Sequence, residues 1–218
     1  MRLLIVRPEP GASGTAARVR AMGHAATVQP LLATEALDWV LPAPLPDAVL
    51  ITSAAAVRHA GPAVAGLQHL PALCVGEATA TAARAAGWQA AAAGPGTVQA
   101  LLDDAARSPH RRLLHLAGED RTPVRVPPML TVTTVIVYRA VLHPLPALPA
   151  VDAVLLHSPR TARQFAAEWD RLGGRRSSLR LFAISPATLA AAGPGWASGE
   201  AAAAPAEAAL LAMLPESL

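Results

Sequence analysis

The chain has 218 residues, a formal charge of +3, 18 basic residues that are all arginine, and a single cysteine, Cys74. One cysteine excludes an internal disulfide and a cysteine-rich metal site, and scattered arginines with no basic run interleaved with aromatics argue against nucleic acid. The apolar excess is mostly alanine interrupted by arginine, glycine and proline, so no stretch reads as a membrane span, and with seven aromatic residues the packing must rest on small aliphatic side chains.

In chain order, Leu3 to Val6 reads as a strand, Thr15 to Met22 as a helix stopped at Gly23, and Thr27 to Leu31 as a second strand. The apolar opening from Met1 is cut short by Arg7 and Pro8, too early for a secretion signal, which predicts a cytoplasmic location. Ala48 to Ile51 predicts a buried strand, Ala54 to Ala60 a short helix, Ala72 to Val75 a strand, and Ala78 to Ala86 a helix closed by Gly87. Thr97 to Ala106 predicts a helix capped by Thr97, Leu113 to Leu116 a strand, and Thr131 to Tyr138 a β-branched strand. The same alternation returns in Val151 to Leu156, Ala162 to Leu172, Leu179 to Ile184, Ala187 to Ala192 and Pro205 to Leu214.

The two halves repeat each other at an offset of about 110 residues, a domain-sized period. Asp47 to Ser53 matches Asp152 to Ser158, Val75 to Ala80 matches Ile184 to Leu189, and Arg2-Leu3-Leu4 matches Arg112-Leu113-Leu114. Because the last match joins the start of the chain to the end of the first copy, the duplication is cyclic. It predicts an α/β protein of two similar domains, parallel sheets flanked by helices, joined by two strand-like crossings. The expected domains are 1–31 with 144–218, and 38–136, with 32–37 and 137–143 as the connections and a ligand cleft beside them.

Ligands of open parallel sheets collect beyond the carboxyl ends of the strands. Thr52-Ser53, Gly76-Glu77, Ser158-Pro159 and Ser185-Pro186 fall at such ends and offer hydroxyls and free N–H groups to an anion; the same serines and threonines also suit helix N-caps. Arg7 and Arg139, near strand ends, could clamp carboxylates or be surface arginines, and Arg160 and Arg163 read as surface. Tyr138, the single tyrosine, could donate a proton or hydrogen bond in a cleft or be a boundary residue with a wet tip. There is no G-x-G-x-x-G after the first strand, no P-loop and no G-x-S-x-G elbow. The seven histidines show no metal-ligand spacing, His157 reads as lining a turn, and Cys74 reads as a small buried hydrophobe, so no metal site is expected.

Together, Val6-Arg7-Pro8, Thr52-Ser53-Ala54, Val75-Gly76-x-x-Thr79-Ala80, Val137-Tyr138-Arg139, Ser158-Pro159-Arg160 and Ser185-Pro186-x-Thr188 resemble the uroporphyrinogen-III synthase family across nearly the full length. The resemblance implies a twin-domain α/β fold with a discontinuous first domain. It also implies a lyase without cofactors that closes linear hydroxymethylbilane into a macrocycle with loss of water and inversion of the last ring. A polycarboxylate substrate fits the arginines and strand-end hydroxyls, and since uncatalysed closure occurs without inversion, positioning outweighs acid–base power.

By the same resemblance, Tyr138 matches the family's cleft tyrosine and takes the catalytic role, supplying a hydrogen bond to the departing hydroxyl. Arg7, Thr52, Ser53, Gly76, Thr79, Ser158, Ser185 and Thr188 carry over as substrate-binding positions. A monomer is implied, with the preceding pathway enzyme as a candidate partner and neither nucleic acid nor membrane involved. The chain departs from the family at Ala55, where relatives commonly have asparagine, and over Gly118 to Leu130, which is too short and proline-rich for the usual helix. The alternative is a non-catalytic two-domain module that captures an anionic metabolite; a flavodoxin-like cofactor protein ranks last, for want of aromatics at strand ends.

Overall fold

The computed structural model describes residues 1–89, 91–94 and 96–215. By contacts the chain divides into two units, one of Met1–Ala33 with Val141–Leu218 and one of Thr34–Ala140.

The first unit is a sheet of β1 (Arg2–Ile5), β2 (Ala25–Val28), β9 (Ala153–Leu156), β10 (Arg180–Ala183) and β11 (Ser198–Ala201), ordered β11-β10-β9-β1-β2 and parallel throughout. Alternation along the central strands sends side chains to two cores. Leu3, Ile5, Ala153, Leu155 and Phe182 pack beneath α1 (Gly11–Ala21) and α7 (Glu207–Leu211). Leu4, Val6, Val154, Leu156 and Leu181 pack beneath α5 (Pro159–Arg171), and Ala192 just after α6 (Pro186–Ala191) joins them. A sheet covered on both faces explains why the central strands, past the arginines that open β1 and β10, are apolar at every position rather than at every second one. The scarce aromatics are concentrated here: Phe165 lies 5.5 Å from Trp169 and 5.6 Å from Trp196, ring centre to ring centre.

The second unit carries β3 (Leu32–Ala36), β4 (Ala48–Ile51), β5 (Ala72–Cys74), β6 (Ala91–Ala93), β7 (Arg112–Gly118) and β8 (Thr131–Leu142) in the order β3-β8-β7-β4-β5-β6. The ladders from β8 to β6 are all parallel. Val49, Ile51, Leu114 and Leu116 pack against α2 (Ala54–His59) and α3 (Glu77–Ala85), while Ala48, Leu50 and Leu113 pack against α4 (Val98–Ala106). Cys74 is buried.

Followed outward from β1 and from β7, both sheets have the same doubly wound order, which is the cyclic duplication expressed as topology. In such a sheet the strand order reverses at one point, and the crevice there is the usual ligand site. In the second unit the reversal falls between β7 and β4.

Element boundaries depart from the sequence expectations in instructive ways. The first helix starts at Gly11 rather than Thr15, because the Glu9 carboxylate accepts the Ser13 N–H at 3.0 Å and stabilises a first turn of poor helix formers. Edge strands β6 and β11, made of alanine, serine, glycine and one glutamate, have no β-propensity to announce them and exist by pairing with β5 and β10. The long β8 runs to Leu142, so Tyr138 lies within a strand and not at its end. Gly118 to Leu130 forms no helix.

Candidate active site

Beyond the β7–β4 reversal the second unit holds a cleft of about 420 Å³ whose walls include Thr52, Ser53, His115, Gly118, Thr134 and Tyr138. Ser53 caps α2, its Oγ accepting the Ala55 N–H at 2.9 Å. The Tyr138 hydroxyl donates to the same Oγ at 3.3 Å. With both interactions accepted, the Ser53 O–H remains able to donate into the cleft.

Tyr138 reaches Ser53 because of an irregularity in the sheet. Along β8, Val132 packs on the α4 side and Val135 and Val137 on the α2–α3 side, yet Tyr138 packs with Val137 and its neighbours. The register explains it: Ala117 pairs with Ile136, but Gly118 pairs with Tyr138, leaving one extra residue on β8. A β-bulge of this kind re-aims a side chain at the rim of a sheet. The ring is then held on two sides. His59 stacks against it at 5.9 Å and 30°, and a Cβ built on Gly118 would come within 2.5 Å of its Cζ, so only glycine leaves room for the ring in this position.

His115, 7% exposed, is the buried polar residue on the cleft floor, with Nε2 3.2 Å from Thr52 Oγ1 and Nδ1 3.5 Å from Thr134 Oγ1. Burial, reinforced by the charge of Arg121, pushes its pKa down to about 4, so the imidazole is neutral near pH 7. The segment after β7 forms the outer wall, and Gln99 on α4 pins it: its side-chain amide donates to the Arg125 carbonyl and accepts the Arg125 N–H, both at 3.0 Å.

Of the remaining predicted positions, Gly76, Ser158 and Ser185 stand just before helices α3, α5 and α6, while Thr79 and Thr188 lie inside helices, each with local work to do. Gly76 caps α3 by its carbonyl, and Thr79, the third residue of that helix, is buried. In the first unit Ser158 and Ser185 are N-caps of α5 and α6, accepting from the Thr161 and Thr188 N–H at 3.2 Å each. Thr188 is fully buried with its hydroxyl 3.0 Å from Ser185 Oγ. Arg7 is half-buried and paired with Glu207 at 3.2 Å, a carboxylate also held by Arg18 and by the Thr15 hydroxyl. These partners keep the Glu207 carboxyl below its usual range despite burial that acts the other way. Arg139 pairs with Glu35 at 3.1 Å on the surface.

Among the described residues no group of three His, Cys, Asp or Glu is placed to hold a metal, and no helix is long and apolar enough to cross a membrane. His115, Gly118 and Thr134 were not singled out by sequence reasoning. One signal was available: a lone histidine inside the apolar run Leu113-Leu114-His115-Leu116 must find polar partners once the strand is buried.

The family described as uroporphyrinogen-III synthase HemD matches residues 13–212. Among solved structures, the uroporphyrinogen-III synthetase of Helicobacter pylori 26695 aligns with a TM-score of 0.64 at 16% identity over 98% of each chain. A mutant uroporphyrinogen III synthase of the extremely thermophilic bacterium Thermus thermophilus aligns with a TM-score of 0.52 at 18% identity over 97% of each chain. At these identities the two structures speak for the fold. No curated protein matches the chain by sequence. With a family match spanning nearly its whole length, the chain belongs to the uroporphyrinogen-III synthase family.

Proposed function

We propose that this chain is a uroporphyrinogen-III synthase, a lyase that closes hydroxymethylbilane with loss of water and inversion of the last ring, in heme biosynthesis. The observation that carries the reading is the Tyr138 hydroxyl, seated by a β-bulge over Ser53 at the strand-order reversal, in a chain of this family. Its bond to Ser53 is long at 3.3 Å and readily exchanged, so the phenol O–H can turn to the hydroxyl that leaves the substrate and stabilise it as it departs as water. The carbon–oxygen bond breaks as a proton passes through the phenol to the leaving hydroxyl, and the freed methylene carbon bonds to the last ring to give a spiro intermediate. That ring's old bond to its neighbour then breaks and re-forms at its other α-carbon, and the proton lost from that carbon replaces the one consumed. Holding that chain in the inverting conformation is the larger task, because closure without inversion needs no protein.

Thr52, Ser53 and Gly76 in the second unit, and Arg7, Ser158 and Ser185 in the first, are the binding positions for substrate carboxylates in this reading. Thr79 and Thr188, each early in the helix that follows its strand, complete the set of binding positions. The two units serve as the two domains, and the protein works as a cytoplasmic monomer without a cofactor. The test is direct: freshly made hydroxymethylbilane is supplied and the product isomers are separated. Uroporphyrinogen III is expected; a product that stays entirely the symmetric type I macrocycle refutes the proposal and favours a mere anion-binding module.

A further inference from the structure

The synthase reading assigns no task to His115, yet the fold buries it at the floor of the cleft and spans it between two hydroxyls that both line the cavity. A neutral imidazole has one N–H and one bare nitrogen, so it must donate to one of these hydroxyls and accept from the other. The two choices have opposite consequences for Thr52. If the Thr52 O–H donates to Nε2, the threonine presents only lone pairs to the cleft and repels an anion. If Nε2–H donates to Thr52 Oγ1 instead, the Thr52 O–H is released to point at a ligand.

We propose, resting on the synthase reading above, that His115 is a positioning residue that orients Thr52 as a hydrogen-bond donor to a substrate carboxylate. The chain runs from the Thr134 O–H to Nδ1, and from Nε2–H to Thr52 Oγ1, with the Thr52 O–H facing the substrate. Each donor in such a run polarises the next, which strengthens the final bond to a charged acceptor. Both contacts, Nε2–Thr52 at 3.2 Å and Nδ1–Thr134 at 3.5 Å, are within reach of either tautomer, so the direction is the part that the tautomer measurement decides. The low pKa of about 4 is consistent with it, since the imidazole stays neutral at working pH and brings no competing charge to the carboxylate. The register pairing His115 with Thr134 sets the geometry, placing the two on the same face of neighbouring strands.

The first test needs no substrate. In ¹⁵N-histidine-labelled protein at pH 7, the resonances absent from His115→Gln identify this ring among the seven histidines. Long-range ¹H–¹⁵N correlations should show it protonated at Nε2; protonation at Nδ1 overturns the proposal whatever the activity. The second test is a kinetic cycle. His115→Leu and Thr52→Val should each raise KM about tenfold with kcat little changed, the scale of one hydrogen bond to a charged group. His115→Gln, whose amide still donates to Thr52, should recover most of the loss, and the double variant should be no worse than Thr52→Val alone. Additive losses, or a folded His115→Leu protein with unaltered KM, overturn it. Should His115→Leu fail to fold, the comparison of His115→Gln with Thr52→Val and the tautomer measurement still decide. Failure of the synthase reading itself would show separately, as wild-type protein yielding no type III product.

Discussion

Gly118→Ala is the sharpest test of how Tyr138 is held. The added Cβ would lie 2.5 Å from Tyr138 Cζ, 2.7 Å from its hydroxyl oxygen and 2.9 Å from Cε2. Carbon atoms separate to at least about 3.5 Å, so the end of the ring must withdraw by about 1 Å. His59 stacked against the ring limits where it can go, and the hydroxyl's contact to Ser53, already 3.3 Å, is lost. A misplacement of about 1 Å in a reacting group can cost about a hundredfold in rate. We expect kcat to fall by that order, with a rising share of type I product as unheld substrate closes by itself. The assay is consumption of hydroxymethylbilane followed by chromatographic separation of the oxidised isomers. Because only the ring tip at the cleft moves, folding stability should drop by no more than an overpacked site requires, about 1–3 kcal/mol. Gly66→Ala, where a Cβ meets nothing within 4 Å, is the control and should behave as wild type. A Gly118→Ala enzyme with wild-type rate and isomer ratio would show that the seat of the tyrosine does not matter, and the reasoning fails.

Three other outcomes follow from the same geometry. Tyr138→Phe should leave the fold within about 1 kcal/mol of wild type, since it removes one long hydrogen bond, while lowering the rate about 10²-fold or more; a pure binding module would lose nothing in ligand affinity or behaviour beyond that bond. Phe165→Ala should destabilise the first unit by about 3–5 kcal/mol in denaturant titrations, because the side chain is fully buried between Trp169 and Trp196 and leaves a cavity. For pH, the His115 pKa is about 4 when folded against an ordinary value of 6.5, so the unfolded chain binds more protons between those values. Its contribution is fully present above pH 6.5 and lost as pH falls through 4, about 3.5 kcal/mol in all at about 1.4 kcal/mol for each pH unit between the two values. His115→Gln should therefore flatten the decline of the thermal midpoint between pH 7 and pH 4, and an unchanged slope would contradict the burial argument.

Much of the architecture is legible in the chain alone. The runs around Leu3, Ala48, Ala153 and Leu181 are apolar at every position, the one around Leu113 is interrupted only by His115, and a strand covered on both faces is the simplest way to bury them. The repeat and its cyclic offset imply the shared strand order, and Ser53, Ser158 and Ser185 stand where strand ends turn into helices, with the geometry of caps. Legibility fails where a residue's state depends on a partner distant in sequence. Arg7, read as clamp or surface residue, is instead tied to Glu207 200 positions away, a pairing no local pattern encodes.

The amino-acid order alone determined the buried strands and most helices, the duplication and the family, because hydrophobic period, turn chemistry and short motifs are local properties of a chain. Only the tertiary structure decided that Tyr138 faces Ser53, that Gly118 must be small and that His115 bridges two threonines. Those facts depend on strand register and on a single extra residue in β8, and a shift of one position in a strand turns every side chain to the opposite face.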